Sequence, residues 1–219
     1  LRARFGPQMF DHHTYVICGD GDLEEGVSHE AASLAGHLGL DKLVAIYDDN
    51  HISIDGPTEL ALSDDAVERF RSYGWHVENV GEIGEDVDAI TAALERAKNV
   101  DGKPSLIVLR SHIGYPSPKY TDTAHAHGNP FGAEEIAATK AILGMPDESF
   151  WSPEDVLTHM REVGVKGRPA REAWYALHEQ WTQDREALDA ALEGRGLDGW
   201  QDHLPTWEPG DSVATRSAG

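Results

Sequence analysis

A chain of 219 residues with 40% hydrophobic content has enough apolar material for one good core, and it can divide into a main domain and an appendage. Eighteen Lys and Arg against 39 Asp and Glu give a formal charge of -21, which argues against nucleic acid or anionic membrane as partners held by bulk electrostatics. The lone cysteine, Cys18, excludes an internal disulfide; set in an apolar run, it reads as a buried thiol in a reducing, cytoplasmic protein.

No stretch approaches the roughly 18 consecutive apolar residues a membrane helix needs, and the first residues carry no signal-peptide pattern. Leu1 to Phe5 reads like the end of a helix and no Met opens the chain, so further residues are expected upstream.

The run Thr14 to Cys18 is short, β-branched and followed by glycine, which predicts a strand buried on both faces. A loop follows from Gly19 to Glu24. Between Glu25 and Leu38, Val27, Ala31, Leu34, Ala35 and Leu38 recur at helical spacing, with Gly39 placed as a C-terminal cap. Leu43 to Tyr47 is a second buried strand that runs into Asp48, Asp49 and Asn50.

Ser63 to Asp65 has the composition of a helix start, with Val67 and Phe70 facing the core. Trp75 to Val80 is strand-like, Val87 to Lys98 is an amphipathic helix, and Ser105 to Leu109 is a third apolar strand run. Strands alternating with helices predict an α/β fold with a doubly wound parallel sheet.

Ser111 to Gly132 is rich in Gly, Pro, His and Tyr and lacks periodicity, and a loop of that length in a compact domain is usually functional. Glu134 to Leu143 is helical, Ser152 to Glu154 opens another helix, and Ala170 to Leu192 reads as one long polar helix with Trp174, Leu177, Trp181 and Leu188 on a stripe. From Gly194 the composition turns to Gly, Pro and Trp, and Asp211 to Gly219 reads as a linker. The domain boundary is therefore set at 1–145 for the sheet domain and 146–219 for a helical linker segment.

In an open parallel sheet, ligands bind at the carboxyl ends of strands. Gly19-Asp20-Gly21 and Asp49-Asn50 both fall at such ends. Asp20 offers a hard carboxylate oxygen and Asn50 an amide oxygen, and the Ile52 carbonyl is the natural third ligand. That oxygen set suits magnesium or calcium, and magnesium commonly completes its shell with phosphate oxygens. Gly21 lets the backbone approach those phosphates and donate an N–H. Read instead as a dinucleotide fingerprint, the triplet fails: its sixth position is Glu24, and a carboxylate at ~4 Å from a pyrophosphate costs several kcal/mol at an effective dielectric near 20 unless a cation lies between. The cluster His112, His125 and His127 is weak as a zinc site, with no cysteine and no third fixed ligand.

The pattern Gly19-Asp20-Gly21, Glu25-Gly26, Asp49-Asn50 resembles the thiamine diphosphate motif, and the wording around it is similar to transketolase. Glu25 to Ala31, Tyr47 to Gly56, Tyr73 to Val77, Lys103 to Leu106, Ile113 to Tyr115 and His127-Gly128 carry the likeness over residues 16 to about 145, and Leu204 to Gly210 resembles the link to the next domain of that family. The resemblance implies that Asp20 and Asn50 ligate Mg2+ or Ca2+ by side chains and Ile52 by its carbonyl. It implies that Gly21 touches the diphosphate and Ile54 packs on the thiazolium ring. His127 would lie near the diphosphate and the donor's hydroxyls, assisting proton transfer or orientation. Glu25 and Glu30 would belong to a carboxylate cluster near the dimer interface. The histidine that often precedes the His-Gly pair in the family has no clear match in Lys119 to Ala124, which leaves His125 unassigned.

The implied activity is transfer of a two-carbon ketol unit from a ketose phosphate to an aldose phosphate, in a homodimer with the cofactor between subunits. The family's pyrimidine-binding domain, with the carboxylate that activates the aminopyrimidine, is expected after Gly219, and its earlier channel histidines before Leu1. The 219 residues by themselves are therefore expected to be inactive. Two alternatives fit the same residues. One is another thiamine diphosphate enzyme, such as a sugar-phosphate synthase or a 2-oxo acid dehydrogenase component. The other is a non-catalytic cofactor-binding subunit that needs a partner chain carrying the pyrimidine domain.

Overall fold

The computed structural model describes residues 1–218; Gly219, the end of the expected linker, lies outside the described residues. The chain forms two compact units, His12–Pro153 and a second in which Leu1–Asp11 joins the chain from Glu154 onward.

A short helix α1 (Arg2–Phe5) opens the chain. The first unit then runs β1 (Thr14–Gly19), α2 (Asp20–Glu24), α3 (Gly26–His37), β2 (Leu43–Asp49), β3 (Ile52–Ser53), β4 (Gly56–Pro57), α4 (Ala66–Ser72), β5 (His76–Gly81), α5 (Val87–Lys98), β6 (Ser105–Arg110), α6 (Ala124–Gly128) and α7 (Ala133–Ile142). Four strands make a parallel sheet in the order β1-β2-β6-β5. The apolar runs that predicted β2 and β6 are its middle, with Val44, Leu106 and Val108 almost wholly out of water. Each such side chain contributes about 1.5–3 kcal/mol relative to exposure.

Alternation along the strands sends these side chains to two separate cores, as a doubly wound sheet requires. Ala45, Tyr47, Leu106 and Val108 pack with Ala32 and Ala35 of α3 and Phe70 of α4. Val44 and Ile107 pack with Ala93 and Ala97 of α5 on the other core. Asp65 and Asp86 cap α4 and α5, accepting from the N–H groups of Glu68 (3.1 Å) and Ala89 (2.9 Å). Trp75 donates its indole N–H to the Ala32 carbonyl at 2.8 Å. Gly36 lets α3 approach the turn after α4 so closely that a Cβ there would overlap the Tyr73 carbonyl.

Several expectations are corrected. β1 is an edge strand, and Tyr15, Val16 and Ile17 are exposed, Ile17 at 77%; only Cys18 is buried, so the strand is not covered on both faces. Tyr15 and Ile17 pair with Val44 and Ile46 and share their face, where α5 packs on β2, β5 and β6. The segment 19–24 is a turn of helix rather than a loop, closed by the Gly19 N–H donating to the Asp22 carboxylate at 2.9 Å. α3 exists, but of the predicted stripe only Ala35 is buried, together with Ala32, while Val27, Ala31, Leu34 and Leu38 are exposed. The hairpin β3-β4 is too short for a periodicity reading to find.

The second unit holds α1, α8 (Glu154–Lys166), α9 (Arg168–Gln180), α10 (Arg185–Glu193) and α11 (Thr215–Ala218). The single helix expected over 170–192 is two: Trp181 turns extended and Asp184 takes a left-handed conformation (φ 44°), a break with no Gly or Pro to announce it. The predicted stripe survives the break, since Trp174, Leu177 and Trp181 pack with fully buried Leu188 around Phe5, Met9 and Phe10. α11 lies within the stretch expected to be linker.

Candidate cofactor site at the strand ends

Because β1 and β2 are parallel neighbours in the register Gly19 to Asp48, leaving β1 brings Asp20 beside the end of β2. Asp20 opens α2 and is only 4% exposed. The Tyr47 hydroxyl, on β2, donates to its Oδ1 at 2.6 Å. Its other oxygen, Oδ2, is buried with no hydrogen-bond partner. Burial pushes the Asp20 carboxyl above the ordinary carboxylate range; the Tyr47 hydrogen bond pulls it down and nearby Asp49 adds to the rise. The Tyr47 hydroxyl is pushed far above its usual value, first by burial and then by Asp20. Cys18, one residue before Gly19, is buried as expected; burial, then Asp22, Asp20 and Asp48, push its thiol to about 11, so it stays protonated and unreactive.

The chain leaving β2 is folded back on itself by Asn50. Its Oδ1 accepts the Ile52 N–H at 3.0 Å and its Nδ2 donates to Asp48 at 3.3 Å. Between them His51 sits at φ 61°, its ring bridging Asp49 (3.1 Å) and Glu59 (2.9 Å). Both α2, which carries Asp20, and α6, which carries His127, pack against β3, the strand that Ile52 opens. A cavity of about 470 Å3 opens beside these groups, lined by Asp20, Tyr47, Asp49, His51, Glu59 and Asp65 among others.

These donors fit a hard divalent cation. A buried carboxylate oxygen without a partner is costly unless a cation meets it. The Asn50 amide oxygen has one lone pair used and one to spare. With the Ile52 carbonyl this is an all-oxygen set of low charge, and phosphate and water oxygens would complete it. Among the described residues no three His, Cys, Asp or Glu side chains converge as a metal cluster. His112 instead faces Asp122 at 2.8 Å, and His125 stacks on Tyr120 with its Nε2 3.2 Å from the Pro130 carbonyl.

The other predicted residues are exposed. Gly21 is exposed on α2 with open space where a Cβ would be, Ile54 is 69% exposed, and His127 is exposed on α6. Glu25 forms the N-terminal boundary of α3 and Glu30 lies within it, both exposed. Sequence reasoning missed Tyr47, although a signal was present: two residues before Asp49 on a strand, it shares that residue's side of the sheet. It also missed Arg69 on α4, which donates to the Leu23 carbonyl at the end of α2 (3.2 Å), to Asp64 and to His29 Nε2 (3.3 Å), while His29 Nδ1 meets the Tyr73 hydroxyl (3.1 Å).

Fold and site together define a parallel α/β domain with a buried carboxylate and a polar turn at adjacent strand ends. Residues 2–199 match the family described as the thiamine diphosphate binding domain of transketolase, and the chain belongs to the transketolase family. It is 47% identical over 222 aligned residues to transketolase of Mycobacterium leprae, a match covering 99% of this chain and 32% of that protein. Among solved structures, transketolase from Leishmania mexicana superposes with a TM-score of 0.83 at 38% identity, covering 95% of this chain and 31% of that one. Transketolase from Pichia stipitis in complex with sedoheptulose-7-phosphate gives 0.79 at 40% identity, covering 93% and 31%. The chain thus spans about a third of the length of the relatives it matches.

Proposed function

We propose that this chain is the metal- and diphosphate-holding part of a transketolase, which moves a two-carbon ketol unit from a ketose phosphate to an aldose phosphate. The observation that carries the reading is the buried, unpartnered Oδ2 of Asp20 beside the Asn50 turn. Asp20, Asn50 and the Ile52 carbonyl would hold Mg2+ or Ca2+ against the diphosphate of thiamine diphosphate, and Gly21 would donate its N–H to a phosphate oxygen. When bound, that cofactor supplies the electron sink for carbon–carbon cleavage.

The chain's own residues bind and orient. Tyr47 holds Asp20 in one rotamer, and the exposed Ile54 offers an apolar surface for the thiazolium ring. His127 would hold or move a proton at its imidazole near the donor's hydroxyls. Glu25 and Glu30, exposed at the start of α3, would meet their counterparts in a second subunit of a cytoplasmic homodimer. Sugar phosphates as substrates are supported by the sugar phosphate named with the Pichia stipitis relative.

Calorimetry of the 219-residue chain with thiamine diphosphate and Mg2+ tests the reading. Binding that requires the metal and is lost in Asp20→Ala and Asn50→Ala is expected; binding unchanged in both variants overturns it. The chain by itself is expected to show no turnover, and steady sugar-phosphate conversion by it would contradict the need for a pyrimidine-binding domain.

A further inference from the structure

His127 rides on α6, a helix of five residues, and a single turn has little stability of its own, so its position is set by what packs on it. The loop before it supplies that packing. Gly114 (φ 72°) passes so near α6 that a Cβ there would lie 2.8 Å from the Ala126 methyl and 3.3 Å from the Phe131 ring. Three residues on, the Ser117 side chain is buried; its hydroxyl donates to Glu135 of α7 and accepts the Tyr120 N–H at 3.0 Å. The Lys119 N–H donates to the same oxygen of Glu135 at 2.8 Å. Tyr120, held between those bonds, stacks on the His125 ring with centroids 3.9 Å apart. One carboxylate oxygen of α7 therefore fixes a loop that meets α6 at the two residues immediately before His127.

We propose that Glu135 is a positioning residue for His127: by accepting from Ser117 and Lys119 it clamps the 113–120 loop, and through Gly114–Ala126 and Tyr120–His125 it holds α6 in place. The proposal rests on the reading of His127 as a cofactor-side residue. It requires an acceptor at Oε1, not a charge, because both donors are uncharged groups.

A double-mutant cycle on this chain tests it, read by calorimetry of thiamine diphosphate with Mg2+ and by the ring resonances of His127 in NMR. Glu135→Ala is expected to weaken cofactor binding about tenfold, the loss of two hydrogen bonds to one carboxylate oxygen, and to shift or broaden the His127 ring signals. Glu135→Gln keeps an acceptor at Oε1 and is expected to restore both readouts. In a His127→Ala background, Glu135→Ala is expected to add less than about twofold, the non-additivity of residues that act as one unit. A full tenfold loss in that background, or unmoved His127 signals in Glu135→Ala, overturns the positioning role. Wild-type affinity in His127→Ala overturns the His127 reading instead, and the NMR arm then still reports whether Glu135 holds α6. Should Glu135→Ala fail to fold, Ser117→Ala, which leaves the Lys119 bond, is expected to move both readouts in the same direction by less, and no movement there counts against the proposal.

Discussion

The phenol of Tyr47 gives its hydrogen to one oxygen of Asp20 at 2.6 Å and leaves the other oxygen buried with nothing to accept from. The two halves of one carboxylate thus face different tasks. Oδ1 fixes the side chain and Oδ2 is an acceptor without a partner. A second consequence concerns stability, because a buried carboxylate oxygen with no partner is a cost the fold carries.

Tyr47→Phe removes the bond that sets the Asp20 rotamer and opposes its raised proton affinity. Metal-dependent cofactor binding is expected to weaken by about tenfold or more, the usual effect of deleting a group that orients a metal ligand. Titrating Mg2+ at saturating thiamine diphosphate measures this. Equal Mg2+ affinity in the variant would show that Tyr47 plays no part in preparing Asp20.

Asp20→Asn is expected to separate stability from binding. The folded state holds the Asp20 proton more tightly than the unfolded chain does, so stability from this group falls as pH rises above the ordinary carboxylate range and stays low at neutral pH. The amide carries no such penalty. Without metal, the variant should melt at a higher temperature than wild type at pH 7, with the gap closing as the pH is lowered; with Mg2+ and cofactor, only wild type should gain. A variant that melts lower at neutral pH without metal would contradict this.

In the helical unit, the Asp189 carboxylate takes one hydrogen bond from Arg185 (2.8 Å) and one from His178 (2.9 Å), tying α10 to α9 across the break between them. The Arg185 bond, then that of His178, holds the Asp189 carboxyl below its usual value. The sign is opposite to that of Asp20: the contribution is present above the ordinary carboxylate range and is lost as pH falls through the lowered value. Asp189→Asn should therefore destabilise α9 and α10 at pH 7, and the difference from wild type should shrink as the pH falls through the lowered Asp189 value. Hydrogen exchange of the α10 amides across an acid pH series reads this locally.

Gly36→Ala tests the packing of α3. The added methyl would collide with the backbone carbonyl of Tyr73, which cannot rotate aside as a flexible side chain would. An overpacking cost of ~1–3 kcal/mol is expected in denaturant unfolding, even though alanine is the better helix former. Unchanged or increased stability would show that the turn after α4 yields freely.

The parts of this fold legible in the sequence are those where one local rule suffices. β2, β6 and α5 follow from apolar runs and helical period, and the placing of Asp20 and Asn50 at strand ends from the polar residues that close the two apolar runs. What escaped depends on partners far along the chain. The Tyr47 to Asp20 bond spans 27 residues and the Arg69 to Leu23 bond 46, and no local pattern encodes either. The outward face of α3 misled for the same reason: Val27, Leu34 and Leu38 are as apolar as core residues, and periodicity reports a stripe without saying what stands against it. The break at Trp181 to Asp184 escaped for a different reason: Trp181 donates to the Gln183 carbonyl only two residues on, at 2.6 Å, and no Gly or Pro marks the turn.

The bare flank of β1 bears on how this chain behaves in a tube. An edge strand with Tyr15, Val16 and Ile17 in water offers an unfilled ladder and an apolar face to any second chain, a common seed of aggregation. Opposing that is the formal charge of -21, a repulsion that acts over about 10 Å at 0.1 M salt and over only 3 Å at 1 M. Colloidal behaviour should therefore turn on ionic strength: dilute buffer keeps the chains apart, and concentrated salt lets β1 find company.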